Sequence, residues 1–140
     1  MKKLYALILS FVFISALSAC NNIKTNKDKE SMTTVKTYEM KDSGATVELT
    51  KGEEIKVSLE ANATTGYEWK IAEIDDSVIK LVNSDYRVNS ERNITGAGGY
   101  QNYTFKVVGQ GSTKLEIIYH RSWEKNKKPL KTFDLIIDSR

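Results

Sequence analysis

The chain of 140 residues has one cysteine, one proline and one histidine. Each scarcity excludes something. With no second thiol, no internal disulfide can brace the fold, which must hold by core packing. One histidine and one cysteine cannot furnish a dedicated transition-metal site, so neither metal nor cofactor is expected. Catalysis is equally short of parts. His120 is the sole imidazole, and its neighbours Ser122 and Glu124 cannot be assumed to converge with it into a triad. The chain is therefore not expected to be an enzyme. No apolar run is long enough to cross a bilayer, which takes about 20 residues. Charge of one sign is scarce too: 21 Lys and Arg face 18 Asp and Glu.

The apolar run that does exist lies at the start. Lys2 and Lys3 precede Leu4 to Ala16, and Leu17-Ser18-Ala19-Cys20 follows. A basic start, a short apolar stretch and small residues describe a secretory signal over residues 1–19. The small-residue site before Cys20 resembles the bacterial lipobox, in which the cysteine becomes the lipidated N-terminus. The only cysteine of the chain sits at that place, which also removes the puzzle of an unpaired exported thiol. An ordinary signal peptide with an incidental cysteine is the plainer alternative. The expected location is the bacterial cell envelope, exported and held by lipid at Cys20. Lys2 and Lys3 are two of the 21 basic residues and the leader has no acid, leaving 19 against 18, or +1. That is no electrostatic footprint for nucleic acid, and no nucleic-acid partner is expected.

Residues 20–42 are polar and rich in Lys, Asn, Thr and Ser, without apolar periodicity. They read as a flexible tether with a reach of about 25 Å. An early edge strand over Val35 to Met40 is the alternative. From residue 43 to residue 140 the pattern becomes that of a folded domain. Ala45, Val47 and Leu49 alternate with polar residues, as do Ile55, Val57 and Leu59 beyond the Lys51-Gly52-Glu53 turn. Trp69 and Ile71 follow. Val78 to Val82 and Tyr86 to Val88 are two short candidates. Tyr103, Phe105 and Val107, then Leu115, Ile117 and Tyr119, then Phe133, Leu135 and Ile137 alternate cleanly. Period two in short runs between Gly, Asn and Ser breaks argues strands. The expected fold is all-β: a β-sandwich of about seven to eight strands, monomeric. Ala72 to Ile79 could hold one helical turn.

Three segments between strands stand out. Asn62-Ala63-Thr64-Thr65-Gly66-Tyr67 follows the second strand. Gly96-Ala97-Gly98-Gly99 precedes the Tyr103 strand. His120-Arg121-Ser122-Trp123-Glu124 follows the Leu115 strand. In an aligned sandwich the BC, DE and FG loops leave the same end, so the three would cluster. Each also has a bland reading. The first is a turn with Gly66 at positive φ, the second a hairpin end, and the third a Trp folded over the sandwich edge. Trp and Arg are the residues that most often anchor interfaces, which favours a binding surface for the third.

Taken in order, Asn-x-Thr-Thr-Gly-aromatic, Gly-x-Gly-Gly and Arg-x-Trp resemble the chagasin family of papain-like cysteine protease inhibitors. The resemblance runs from about Ala45 to Ile137. It implies an immunoglobulin-like sandwich whose BC loop enters the catalytic cleft of a papain-like protease. That loop is Asn62, Ala63, Thr64, Thr65, Gly66 and Tyr67, with Thr64 and Thr65 nearest the enzyme's thiolate. Gly96, Ala97, Gly98 and Gly99 would grip one side, and Arg121, Ser122 and Trp123 the other. Two positions depart from the family pattern: Ala63 and Ser122 stand where prolines are usual. Each lost proline is expected to remove about 0.4–1 kcal/mol of preorganisation. A surface lipoprotein that uses the same loops to hold another partner, without inhibiting it, is the alternative function.

Lipidation is directly testable. Cys20→Ala is expected to release or misprocess the protein. Recovery of that variant in the membrane fraction with unchanged mass would contradict the assignment.

Overall fold

The computed structural model describes residues 35–89 and 98–140. The leader, Cys20 and the first part of the polar stretch, together with Gly96 and Ala97, lie outside these. Among the described residues there are eight strands and two single turns of 3-10 helix. The strands are β1 (Lys36–Tyr38), β2 (Ala45–Leu49), β3 (Glu54–Ala61), β4 (Glu68–Glu73), β5 (Ile79–Val88), β6 (Gly99–Val107), β7 (Gly111–His120) and β8 (Lys131–Ser139). They form two four-stranded sheets, ordered β1-β3-β6-β5 and β2-β8-β7-β4. This is the sandwich that the alternation implies, of the immunoglobulin-like kind that the family resemblance implies.

The alternating apolar positions supply the core. Val57, Leu59, Phe105, Leu115, Ile117, Phe133, Leu135 and Ile137 are fully buried. Their side chains meet between the sheets, each worth about 1.5–3 kcal/mol when removed from water. Trp69 is buried with them, and its indole Nε1 donates to the Glu60 carbonyl at 2.9 Å. β3 and β4 lie in different sheets, so this bond ties the two layers beside the loop that joins them. Tyr103 makes a second tie. Its hydroxyl donates to the Trp69 carbonyl at 2.7 Å.

Two stretches differ from what alternation suggests. Of the two readings for the residues ahead of Ala45, the edge strand is found for Lys36–Tyr38. It runs parallel to β3, with Tyr38 opposite Val57 and buried. One apolar residue in three cannot display a period. The second difference is β5. The sequence offers two short strands there, whereas one continuous strand of ten residues pairs along β6. A bulge between Leu81 and Asn83 shifts the register. Leu81, Val82, Tyr86 and Val88 stay exposed on this edge strand. Its backbone hydrogen bonds, not burial, define it, so no alternation is written into it. Between β4 and β5, Val78 and Ile79 donate to the Asp75 carbonyl, closing a single turn.

Burial pushes the Tyr103 hydroxyl up to about 12, with the charge of Glu68 adding to the effect. A raised tyrosine pKa means that the fold favours the neutral form. Its contribution to stability is complete below about pH 10 and lost as pH rises through about 12. The stability difference between wild type and Tyr103→Phe, measured by denaturant titration, should therefore narrow over that interval. A constant difference would contradict the assignment.

Candidate functional site: three loops at one end

Strand register brings the loops together. Ala61 at the end of β3 pairs with Gly99 at the start of β6, which also pairs with Val88 at the end of β5. In the other sheet, Glu68 at the start of β4 pairs with His120 at the end of β7. The β3–β4, β5–β6 and β7–β8 connections thus leave one end of the sandwich.

The β3–β4 loop is a locked turn. Ala63–Thr65 form one turn of 3-10 helix with Asn62 as its N-cap. The Asn62 Oδ1 accepts from the Thr64 backbone N–H at 3.1 Å and from the Thr64 hydroxyl at 2.7 Å. The Thr65 hydroxyl donates to the Asn62 carbonyl at 2.7 Å. Asparagine is among the best residues at this place, because its short side chain meets N–H groups that the turn leaves unpaired. Gly66 closes the turn at φ 75°, a left-handed conformation. Thr64 and Thr65 are exposed at the tip.

The β7–β8 loop leans on it. Arg121 Nε donates to the Thr65 carbonyl at 3.3 Å. Its guanidinium lies 4.4 Å from the Tyr67 ring centre and 5.8 Å from that of Trp123. The Trp123 ring covers Gly66 so closely that a Cβ at that glycine would overlap it. Its outward face is free, since Trp123 is 63% exposed. Glu124 receives Arg121 at 3.4 Å and Lys127 at 3.3 Å. Burial pushes the Glu124 carboxyl up, but Lys127 and Arg121 together hold it below its ordinary range. Engaged in this way, Glu124 is not spare for His120. Ser122 is exposed in the turn between Arg121 and Glu124.

The third segment has a different character. Gly99 is the first residue of β6, is buried, and could not carry a Cβ without overlapping the Arg87 carbonyl and crowding the Tyr86 ring. A Cβ at Gly98 would stand 3.1 Å from the Ala61 carbonyl. Both glycines thus pack closely within the fold, Gly98 against β3 and Gly99 against β5. The Tyr86 hydroxyl reaches across to within 3.5 Å of the Ala61 carbonyl. Sequence reasoning missed Tyr86, and also Tyr119, whose ring stacks on Tyr67 with centres 5.3 Å apart. Alternation marks Tyr119 as core but says nothing of its hydroxyl.

A model of the family described as chagasin family peptidase inhibitor I42 matches residues 48–137. The chain belongs to that family. Its members are peptidase inhibitors, not enzymes. Amoebiasin-2 of Entamoeba histolytica is 30% identical over 102 residues, covering 69% of this chain and 80% of the relative. Chagasin of Trypanosoma cruzi is 27% identical over 86 residues, covering 58% and 76%. Among solved structures, a cysteine protease inhibitor of Entamoeba histolytica superposes with a TM-score of 0.71 at 25% identity. It covers 76% of this chain and 96% of its own. A chain solved in complex with falcipain-2 shares the fold, with a TM-score of 0.58 at 15% identity over 75% and 99% of the two chains.

The two positions that lack the chagasin-family prolines can now be judged. Ala63 opens the 3-10 turn, where proline fits, and Asn62 before it has φ −132° and ψ 100°, extended as proline requires. Ser122 follows Arg121 in the turn closed by Glu124 N–H on the Arg121 carbonyl at 3.1 Å, the second position, which favours proline. Ala63→Pro and Ser122→Pro are each expected to raise stability by about 0.4–1 kcal/mol. Chemical denaturation checks this; a loss of stability in either variant would show that its backbone is not preset for proline.

Proposed function

We propose that this protein is a reversible inhibitor of papain-like cysteine proteases that occludes the active-site cleft with its BC, DE and FG loops. The convergence of the locked Asn62–Tyr67 turn with the exposed Trp123 at one end of a family-member sandwich carries the reading. A papain-like cleft binds peptide in extended form before cutting it. The peptide bonds of Ala63–Thr65 are wound in a helical turn, and the Thr65 carbonyl is held by Arg121. A loop held in this way can fill a cleft without presenting a carbonyl in cleavable geometry. Thr64 and Thr65 would approach the thiolate, Gly98 and Gly99 with Gly96 and Ala97 would flank one side, and Arg121 to Trp123 the other. Trp123 offers a large, stiff apolar surface that loses little entropy on binding.

The same proposal includes the anchor. Lipid on Cys20 and a polar tether would place the monomeric inhibitor at the envelope surface, within reach of exported proteases. Its basis is the sequence around Cys20 alone.

The two tryptophans provide the test. Trp123→Ala is expected to weaken inhibition of papain at least about thirtyfold, about 2 kcal/mol, with little loss of stability. Trp69→Ala is expected to cost about 3–5 kcal/mol of folding free energy, with inhibition following the folded fraction. If Trp123→Ala melts the domain yet the folded fraction binds normally, the three-loop assignment is wrong.

A further inference from the structure

The turn proposed to enter the protease cleft is built on Asn62, and Asn62 is held from the opposite sheet. Its backbone N–H donates to the Tyr119 hydroxyl at 3.1 Å. Tyr119 belongs to β7, is buried, and stands between Trp69 and Tyr67, with ring centres 4.8 Å and 5.3 Å away. The buried Trp69 on one side and the half-buried Tyr67 on the other thus hold its ring, and the ring fixes the position of its hydroxyl. Asn62 in turn supplies the side-chain oxygen for Thr64 and the carbonyl that accepts from the Thr65 N–H at 3.2 Å. The chain of contacts runs from a core strand to the loop tip through one hydroxyl.

We propose that Tyr119 is a positioning residue for the inhibitory loop. Its hydroxyl sets the place from which Asn62 caps the Ala63–Thr65 turn, so part of the affinity for the protease is decided by a buried residue that the protease never touches. The inference rests on the inhibitor reading and adds to it the group that preorganises the wedge. A free loop would have to be ordered during binding, and that ordering would be subtracted from affinity.

Tyr119→Phe removes the hydroxyl and keeps the ring. Tyr103→Phe is the matched control, because it also deletes a buried hydroxyl bonded to the backbone, but one that donates to the Trp69 carbonyl within the core instead of accepting from the Asn62 N–H. The measurements are native-state amide exchange at Thr64 and Thr65 and the inhibition constant against papain. In Tyr119→Phe, exchange at both amides should quicken about fivefold and the inhibition constant should rise about fivefold, the worth of one typical hydrogen bond. Tyr103→Phe should lower the melting temperature at least as much, yet leave Thr64, Thr65 and the inhibition constant unchanged. Wild-type protection at Thr64 and Thr65 in Tyr119→Phe would overturn the proposal. So would equal loosening of the loop by Tyr103→Phe, which would make the effect a general softening of the core. If the wild-type protein fails to inhibit, the functional reading falls, while the exchange data still decide whether Tyr119 positions the turn.

Discussion

An unbroken pile of flat groups runs from the core of this protein to its surface. Trp69 meets Tyr119, Tyr119 meets Tyr67, Tyr67 carries the Arg121 guanidinium, and Arg121 lies against Trp123. The inner members are buried strand residues, and the outermost is an exposed loop side chain. Stacked rings and a cation over a ring face each contribute only about 0.5–1.5 kcal/mol. Their importance lies in sequence, because each group fixes the next. Without the buried pair, neither the β3–β4 turn nor the β7–β8 loop would have a firm support.

The pile also explains how two sheets make one surface. The β3–β4 loop passes from one sheet to the other, and Trp69 just beyond it bonds back to Glu60 just before it. Arg121 then joins the far loop to the Thr65 carbonyl. Gly66 is the meeting point: its left-handed backbone turns the chain, and its missing side chain leaves room for the Trp123 ring. One residue type answers both needs, and any other would meet a conformational cost and a clash together. Such a surface is ordered before a partner arrives, which is the condition under which a modest contact area gives useful affinity.

Much of this could be read in the sequence, for physical reasons that differ by element. β3, β6, β7 and β8 are buried on one face, so their residues alternate and their core positions are legible one by one. The contrast between Trp69 in an alternating run and Trp123 beside an arginine in a loop was legible for the same reason. β5 was not, because it is an exposed edge with a bulge and its pairing leaves no mark on side-chain choice. β1 is too short to show any period. The candidate site was legible as three motifs in order. What the motifs could not say is that Gly99 is fixed by Arg87 and Tyr86 within the fold, or that a tyrosine hydroxyl from another strand holds the turn. Both depend on contacts between residues far apart in the chain.

In the proposed complex the three-loop end fills the cleft of a papain-like protease. Binding to papain and to papain whose cleft is already filled by a covalent peptidyl inhibitor tests it most directly. One-to-one, reversible binding to the free enzyme and none to the blocked enzyme are expected. Equal affinity for both forms would contradict it, because the surface recognised would then lie outside the cleft.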